Sequence, residues 1–166
     1  ARNVRNALGQ KRVLRGIEVA ERIRWVPLPM PIRARLLASL LLPAAIYGAC
    51  VGDIVMSQLN ALTSAVMRAL WGTKRKLRCR DIVLTLLASG HLVDPRQACI
   101  YQSLCTLRRH LQNNPGLVHV VRNCWQACVI DGGRAPGPIG VVYKHVLKLG
   151  WTWSTFDVFH RVGRSS

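Results

Sequence analysis

The sequence predicts a mainly α-helical protein, a helical bundle in which β-structure is admitted only near the C-terminus. Three observations carry this. Apolar residues recur at steps of three and four, as in Val55, Leu59, Leu62, Val66 and Leu70. Asp, Pro and Gly fall where helices start and stop. Residues that favour strands, with partial alternation, gather only at 151–159, where a short strand or hairpin can form. Half of the 166 residues are hydrophobic, enough to build a core and too many for a disordered chain.

The first helix is expected over 11–25, with Val13, Ile17, Ala20 and Ile23 on one side and Arg12, Arg15 and Arg22 elsewhere. Pro27, Pro29 and Pro31 then alternate with other residues and make an extended connector. A second helix is expected over 32–50. Residues 36–52 carry no charge, and Pro43 in their middle should bend or interrupt the helix. That run meets only the lower edge of a bilayer span, and a helix buried on all sides explains it better. Asp53 and Asp81 are placed to cap the third and fourth helices, with Gly72 and Gly90 past their ends. Asp94-Pro95 is a strong start signal, and Ile100, Leu104, Leu107 and Leu111 line the helix behind it. Asn113-Asn114-Pro115-Gly116 breaks the chain. Further helices are expected over about 117–129 and 139–149, and residues 131–140, with four glycines and two prolines, are expected as a loop.

Charge is the strongest compositional signal. There are 24 Lys and Arg against 7 Asp and Glu, a net of +17. Such an imbalance repels itself unless a polyanion lies near, and nucleic acid fits better than a membrane surface. Five cations, Lys74, Arg75, Lys76, Arg78 and Arg80, fall within seven residues between two helices. A second set, Arg22, Arg24, Arg33 and Arg35, flanks the proline connector, and no acidic residue lies between Glu21 and Asp53. Together these nine form the expected nucleic-acid-binding track, each neutralised phosphate releasing counterions. A solvated charged loop is the plainer reading of 74–80. Trp25 and Trp71 stand at the edges of the track. Either can stack on a base, although core packing is the commoner role.

Catalytic patterns are missing. Nucleotidyl transfer needs two metals about 4 Å apart held by converging carboxylates, and no two of the seven acids are adjacent. Glu18 and Glu21 share a helix face and read as solvated surface beside Arg15 and Arg22. There is no Gly-x-Ser-x-Gly, no P-loop and no His-Glu-x-x-His. Cys124 and Cys128, with His119 nearby, could meet zinc, but Cys-x3-Cys on an apolar helix is usually buried thiol packing. No catalytic or metal residue is therefore assigned. With no secretory signal in view, reduced thiols fit the six cysteines better than disulfides. Ala1 and the basic residues behind it read as a piece of a longer chain.

Several segments together resemble reverse transcriptases of non-LTR (LINE-type) retrotransposons, in the region just after the palm. They are Pro31-Ile32-Arg33-Ala34-Arg35-Leu36-Leu37, Leu42-Pro43-Ala44-Ala45-Ile46-Tyr47-Gly48, the pair Trp71-Gly72, Arg78-Cys79-Arg80-Asp81-Ile82-Val83-Leu84 and Leu92-Val93-Asp94-Pro95. Leu149-Gly150-Trp151-x-Trp153 is similar to further segments of such proteins. The resemblance covers about residues 22–111 and extends loosely beyond. The Tyr/Phe-x-Asp-Asp palm motif is absent, so the family's catalytic residues map onto nothing here. What the resemblance implies is a thumb-like bundle that grips a template–primer duplex through its backbone.

The sequence thus leads to a non-catalytic, nucleic-acid-binding fragment of an RNA-directed DNA polymerase. Its divisions are expected at 1–26 (remnant of the palm–thumb junction), 27–112 (thumb-like bundle) and 113–166 (C-terminal extension). The expected partner is RNA, DNA or an RNA–DNA hybrid, with no small-molecule substrate. No cofactor is expected in this piece, since Mg2+ belongs to the missing palm. The expected location is nuclear or cytoplasmic rather than secreted. The alternatives are a small basic membrane-associated protein with 36–52 inserted, and a decayed retroelement remnant without function.

Overall fold

The computed structural model describes residues 7–52, 54–73, 79–88 and 93–162, with the side chains of residues 86 and 87 left aside. It is mainly α, with one two-stranded antiparallel sheet. The helices are α1 (Ala7–Trp25), α2 (Met30–Leu36), α3 (Leu42–Ala45), α4 (Met56–Trp71), α5 (Pro95–Asn113), α6 (Leu117–Ile130) and α7 (Pro138–Lys148). Among the described residues there are also two π-helical stretches, Leu37–Leu41 and Ile82–Leu87.

Two compact units divide the chain. The first draws on the chain up to Ala49 and on Ile54–Tyr101; the second takes Gln102 onward and the short piece at Cys50. These bounds differ from 26/27 and 112/113. Val13 and Ala20 of α1 enter the same core as α4, so the proline connector does not separate two cores.

In the first unit α4 is the central helix. Leu59, Leu62, Val66 and Leu70 are buried as the periodicity predicts, and Thr63, Ala65, Met67 and Ala69 are buried too. α1 lies parallel to α4: Gly16 sits against Leu62 and Glu21 against Arg68. A Cβ at Gly16 would approach the Ala45 Cβ to 2.7 Å, so glycine is what lets α1 and α3 come this close.

The apolar run 36–52 departs from the expected single helix. Leu42 N–H bonds to the Leu37 carbonyl, a five-residue step that widens the turn ahead of Pro43. Pro43 has no N–H and its ring crowds the carbonyl four residues back, and the wide turn accommodates both. The helix therefore passes Pro43 and ends at Ala45, with Gly48 in the left-handed region at φ 84°. Leu37, Leu41, Leu42, Ala45, Ile46 and Ala49 fill the core. Among the described residues no helix is long and apolar enough to cross a membrane.

The caps are mixed. Asp94 accepts a bond from the Arg96 N–H at 2.9 Å, as its sequence predicts. Asp81 makes no side-chain cap, because it is itself helical and the turn begins before it. Asp53 and Gly90 lie outside the described residues. Gly72 ends α4 at φ 85°. Val55 precedes α4 and is exposed, contrary to its expected place on the apolar face.

In the second unit, Val121 and Cys128 of α6 and Ile139, Val142 and Val146 of α7 share a core with Trp153. Leu104, Leu107 and Leu111 of α5 pack against it. β1 (Trp151–Thr155) and β2 (Val158–Arg161) form the expected hairpin, with Trp151 opposite Arg161.

Candidate nucleic-acid interface

Of the nine predicted residues, Arg22, Arg24, Arg33, Arg35 and Arg80 are described; Lys74, Arg75, Lys76 and Arg78 lie outside the described residues. Arg22 and Arg24 end α1, and Arg33 and Arg35 end α2. Arg68, which no sequence pattern singles out, ends α4. Cations suit the ends of α1 and α4, since a helix C-terminus carries partial negative charge, whereas α2 runs on into 37–45 and Arg33 and Arg35 lie within that longer helix. The parallel α1 and α4 bring two such ends together, which strengthens the demand for positive charge there.

Part of the cationic excess is consumed by this demand. Arg33 Nη1 donates to the Ala69 carbonyl in the last turn of α4 at 2.8 Å. Arg24 Nη2 donates to Thr73 Oγ1 at 3.1 Å, just past the same helix. Arg68 Nη2 lies 2.6 Å from Glu21 Oε1, and Arg24 Nη1 lies 3.4 Å from Glu21 Oε2. Glu21 is thus held between two arginines and is not the solvated surface acid that its sequence setting suggests. Burial raises its pKa, but the hydrogen bond and charge of Arg68, then those of Arg24, outweigh burial and leave it below the ordinary value.

The structure brings Arg24 and Arg33 to the end of α4, beside Arg68. Residues 74–78 follow that end in sequence after Gly72 and Thr73. Arg22 and Arg35 are exposed on the last turns of their helices. Arg80 stands apart in its bonding, with Nε 3.6 Å from Asp81 Oδ1. Cations are not confined to this region: Arg122, Lys144, Lys148 and Arg161 belong to the second unit.

The two tryptophans part company. Trp71 packs against the core of the first unit. Trp25 is 76% exposed, which overturns core packing for it. The Arg24 guanidinium lies over the Trp25 ring, 4.8 Å from its centroid.

Other chemistry is sparse. Ser103 Oγ and His145 Nδ1 are 2.7 Å apart, with both side chains buried in the second unit. None of the six cysteines is in a disulfide. Cys124 is exposed and Cys128 buried on α6, and burial, then the charges of Cys124 and Asp131, push the Cys128 thiol up. Among the described residues no three His, Cys, Asp or Glu side chains gather as a metal site.

No protein-family model, curated protein or solved structure matches the chain. The likeness to reverse transcriptases rests on the sequence segments alone.

Proposed function

We propose that the chain binds nucleic acid through its backbone phosphates, without catalysis of its own, as a thumb-like part of a retroelement RNA-directed DNA polymerase. One observation carries the reading: 24 cations face 7 acids. At the end of α4, where the arginines of three helices gather, Glu21 is the acid that balances them. Arg22 and Arg35 are exposed, and the basic run 74–78 comes soon after α4 in sequence. Binding of this kind holds any sequence and fades with salt, because each phosphate neutralised releases counterions. Mg2+ would belong to a palm on a longer chain and has no role in this reading.

The test is a titration of the chain with a primed RNA template across a range of salt. Log K should fall linearly with log salt. Replacing Lys74, Arg75, Lys76, Arg78 and Arg80 by Ala should flatten the slope by about 0.7–0.9 for each phosphate that is no longer neutralised. Arg22→Ala with Arg35→Ala should flatten it by a similar amount per residue. Binding that ignores salt would end the proposal.

A further inference from the structure

Trp25 is the last residue of α1. A tryptophan normally buries its ring, because the indole is the largest apolar side chain and water solvates it poorly. Here the ring is 76% exposed, at the point where α1 gives way to the proline connector. With that much surface in water, no more than one of its two faces can be covered. The covering group is the guanidinium of Arg24, 4.8 Å from the ring centroid.

Arg24 is held in place. Its two terminal nitrogens reach Glu21 Oε2 at 3.4 Å and Thr73 Oγ1 at 3.1 Å. Because Glu21 is also bonded to Arg68, the guanidinium is tied to α4 as well as to its own helix. The ring thus leans on a cation anchored at both nitrogens and presents its other face to solvent. Arg22 lies three residues earlier on the same helix, so it neighbours Trp25 on the helix surface, and it is exposed. An open aromatic face beside exposed positive charge matches what an unpaired base and its phosphate require: a π-surface to stack on and a cation for the backbone.

We infer that the Arg24–Trp25 pair is a stacking platform for one unpaired nucleobase of a single-stranded RNA or DNA segment. This rests on the nucleic-acid reading above and adds to it an interaction that phosphates alone do not make. The platform is indifferent to base identity, since every base has a π-face. It reads whether a base is unpaired.

The test compares two labelled strands of equal phosphate count, one of oligothymidine and one wholly abasic, each titrated with the full chain. Trp25→Ala should weaken binding to the base-bearing strand roughly 5- to 150-fold. It should leave the abasic strand within twofold of the unsubstituted chain, with the salt slope unchanged. Trp25→Phe, which keeps an aromatic face, should retain most of the affinity that Trp25→Ala removes. Equal loss on both strands, or no loss on either, overturns the platform while leaving the phosphate reading intact. Failure of the unsubstituted chain to bind the abasic strand at low salt overturns the phosphate reading, and the platform falls with it. A far-ultraviolet spectrum identical to that of the unsubstituted chain verifies that each variant is folded.

Discussion

Glu21 is one carboxylate shared by two arginines, and its ionisation has a measurable sign. Its folded-state pKa lies below the ordinary value of 4.5. Its contribution to stability is therefore present above that value and is lost as pH falls through the lowered one. Side chains about one-third exposed on both partners limit the pair to about 1 kcal/mol or less. Glu21→Gln should lower the urea midpoint at neutral pH, and the gap to the unsubstituted protein should close in acid. A gap that persists in acid well below the lowered pKa, with Glu21 protonated in the folded protein too, would show that charge is not what the pair contributes. Little of this was legible in the sequence. Arg68 is 47 residues from Glu21, and nothing in a one-dimensional pattern joins them. The same blindness affects Arg33, whose partner is a main-chain carbonyl at Ala69. Trp25 illustrates a different failure: apolar size argues for burial, and only its place at the end of α1 decides that the ring stays out of the core.

At the scale of elements, periodicity was a good guide wherever a helix has one wet face. Leu59, Leu62, Val66 and Leu70 announce α4, and Asp94-Pro95 announces α5. The hairpin was legible from its β-formers. The run 36–52 was not, because a wholly apolar stretch has no phase to show a five-residue turn and no polar residue to mark its end. Asp81 misled because a carboxylate ahead of a helix resembles a cap whether or not its own backbone is helical. α7 offers a stringent test of packing. A Cβ at Gly140 would overlap the carbonyl oxygen of Ala135, a backbone atom that cannot swing aside. Overpacking typically costs about 1–3 kcal/mol, against a helix-propensity gain of about 1 kcal/mol from replacing glycine with alanine. The backbone clash places Gly140→Ala toward the upper end, so chemical denaturation should show a net loss of about 2 kcal/mol. A neutral or stabilising result would mean that the start of α7 can shift to make room.

For the whole molecule, a net charge of +17 on 166 residues sets the dominant long-range force. Self-repulsion opposes the folded state and is screened by salt. The thermal midpoint should rise with sodium chloride from low salt to several times physiological ionic strength, the reverse of a protein held mainly by exposed ion pairs. A midpoint that stays flat or falls would show that arginine pairing with carbonyls and Glu21 has already relieved the repulsion. The composition alone made this charge legible; how much of it the folded chain spends on its own helix ends became visible only with α1, α2 and α4 in place. The C-terminal hairpin has a narrower foundation. Two strands by themselves are marginal in water, and Trp153 is the buried residue of this pair. Its indole N–H reaches back to the Phe156 carbonyl at 3.0 Å, and its carbonyl receives the Trp125 N–H at 3.3 Å. Tyr143 and Phe159 rest against its ring, with centroids at 6.3 and 5.0 Å. That indole thus serves as the main rivet for the hairpin, and Phe156, in the turn between the strands, adds a second point of attachment edge-on to the Trp125 ring.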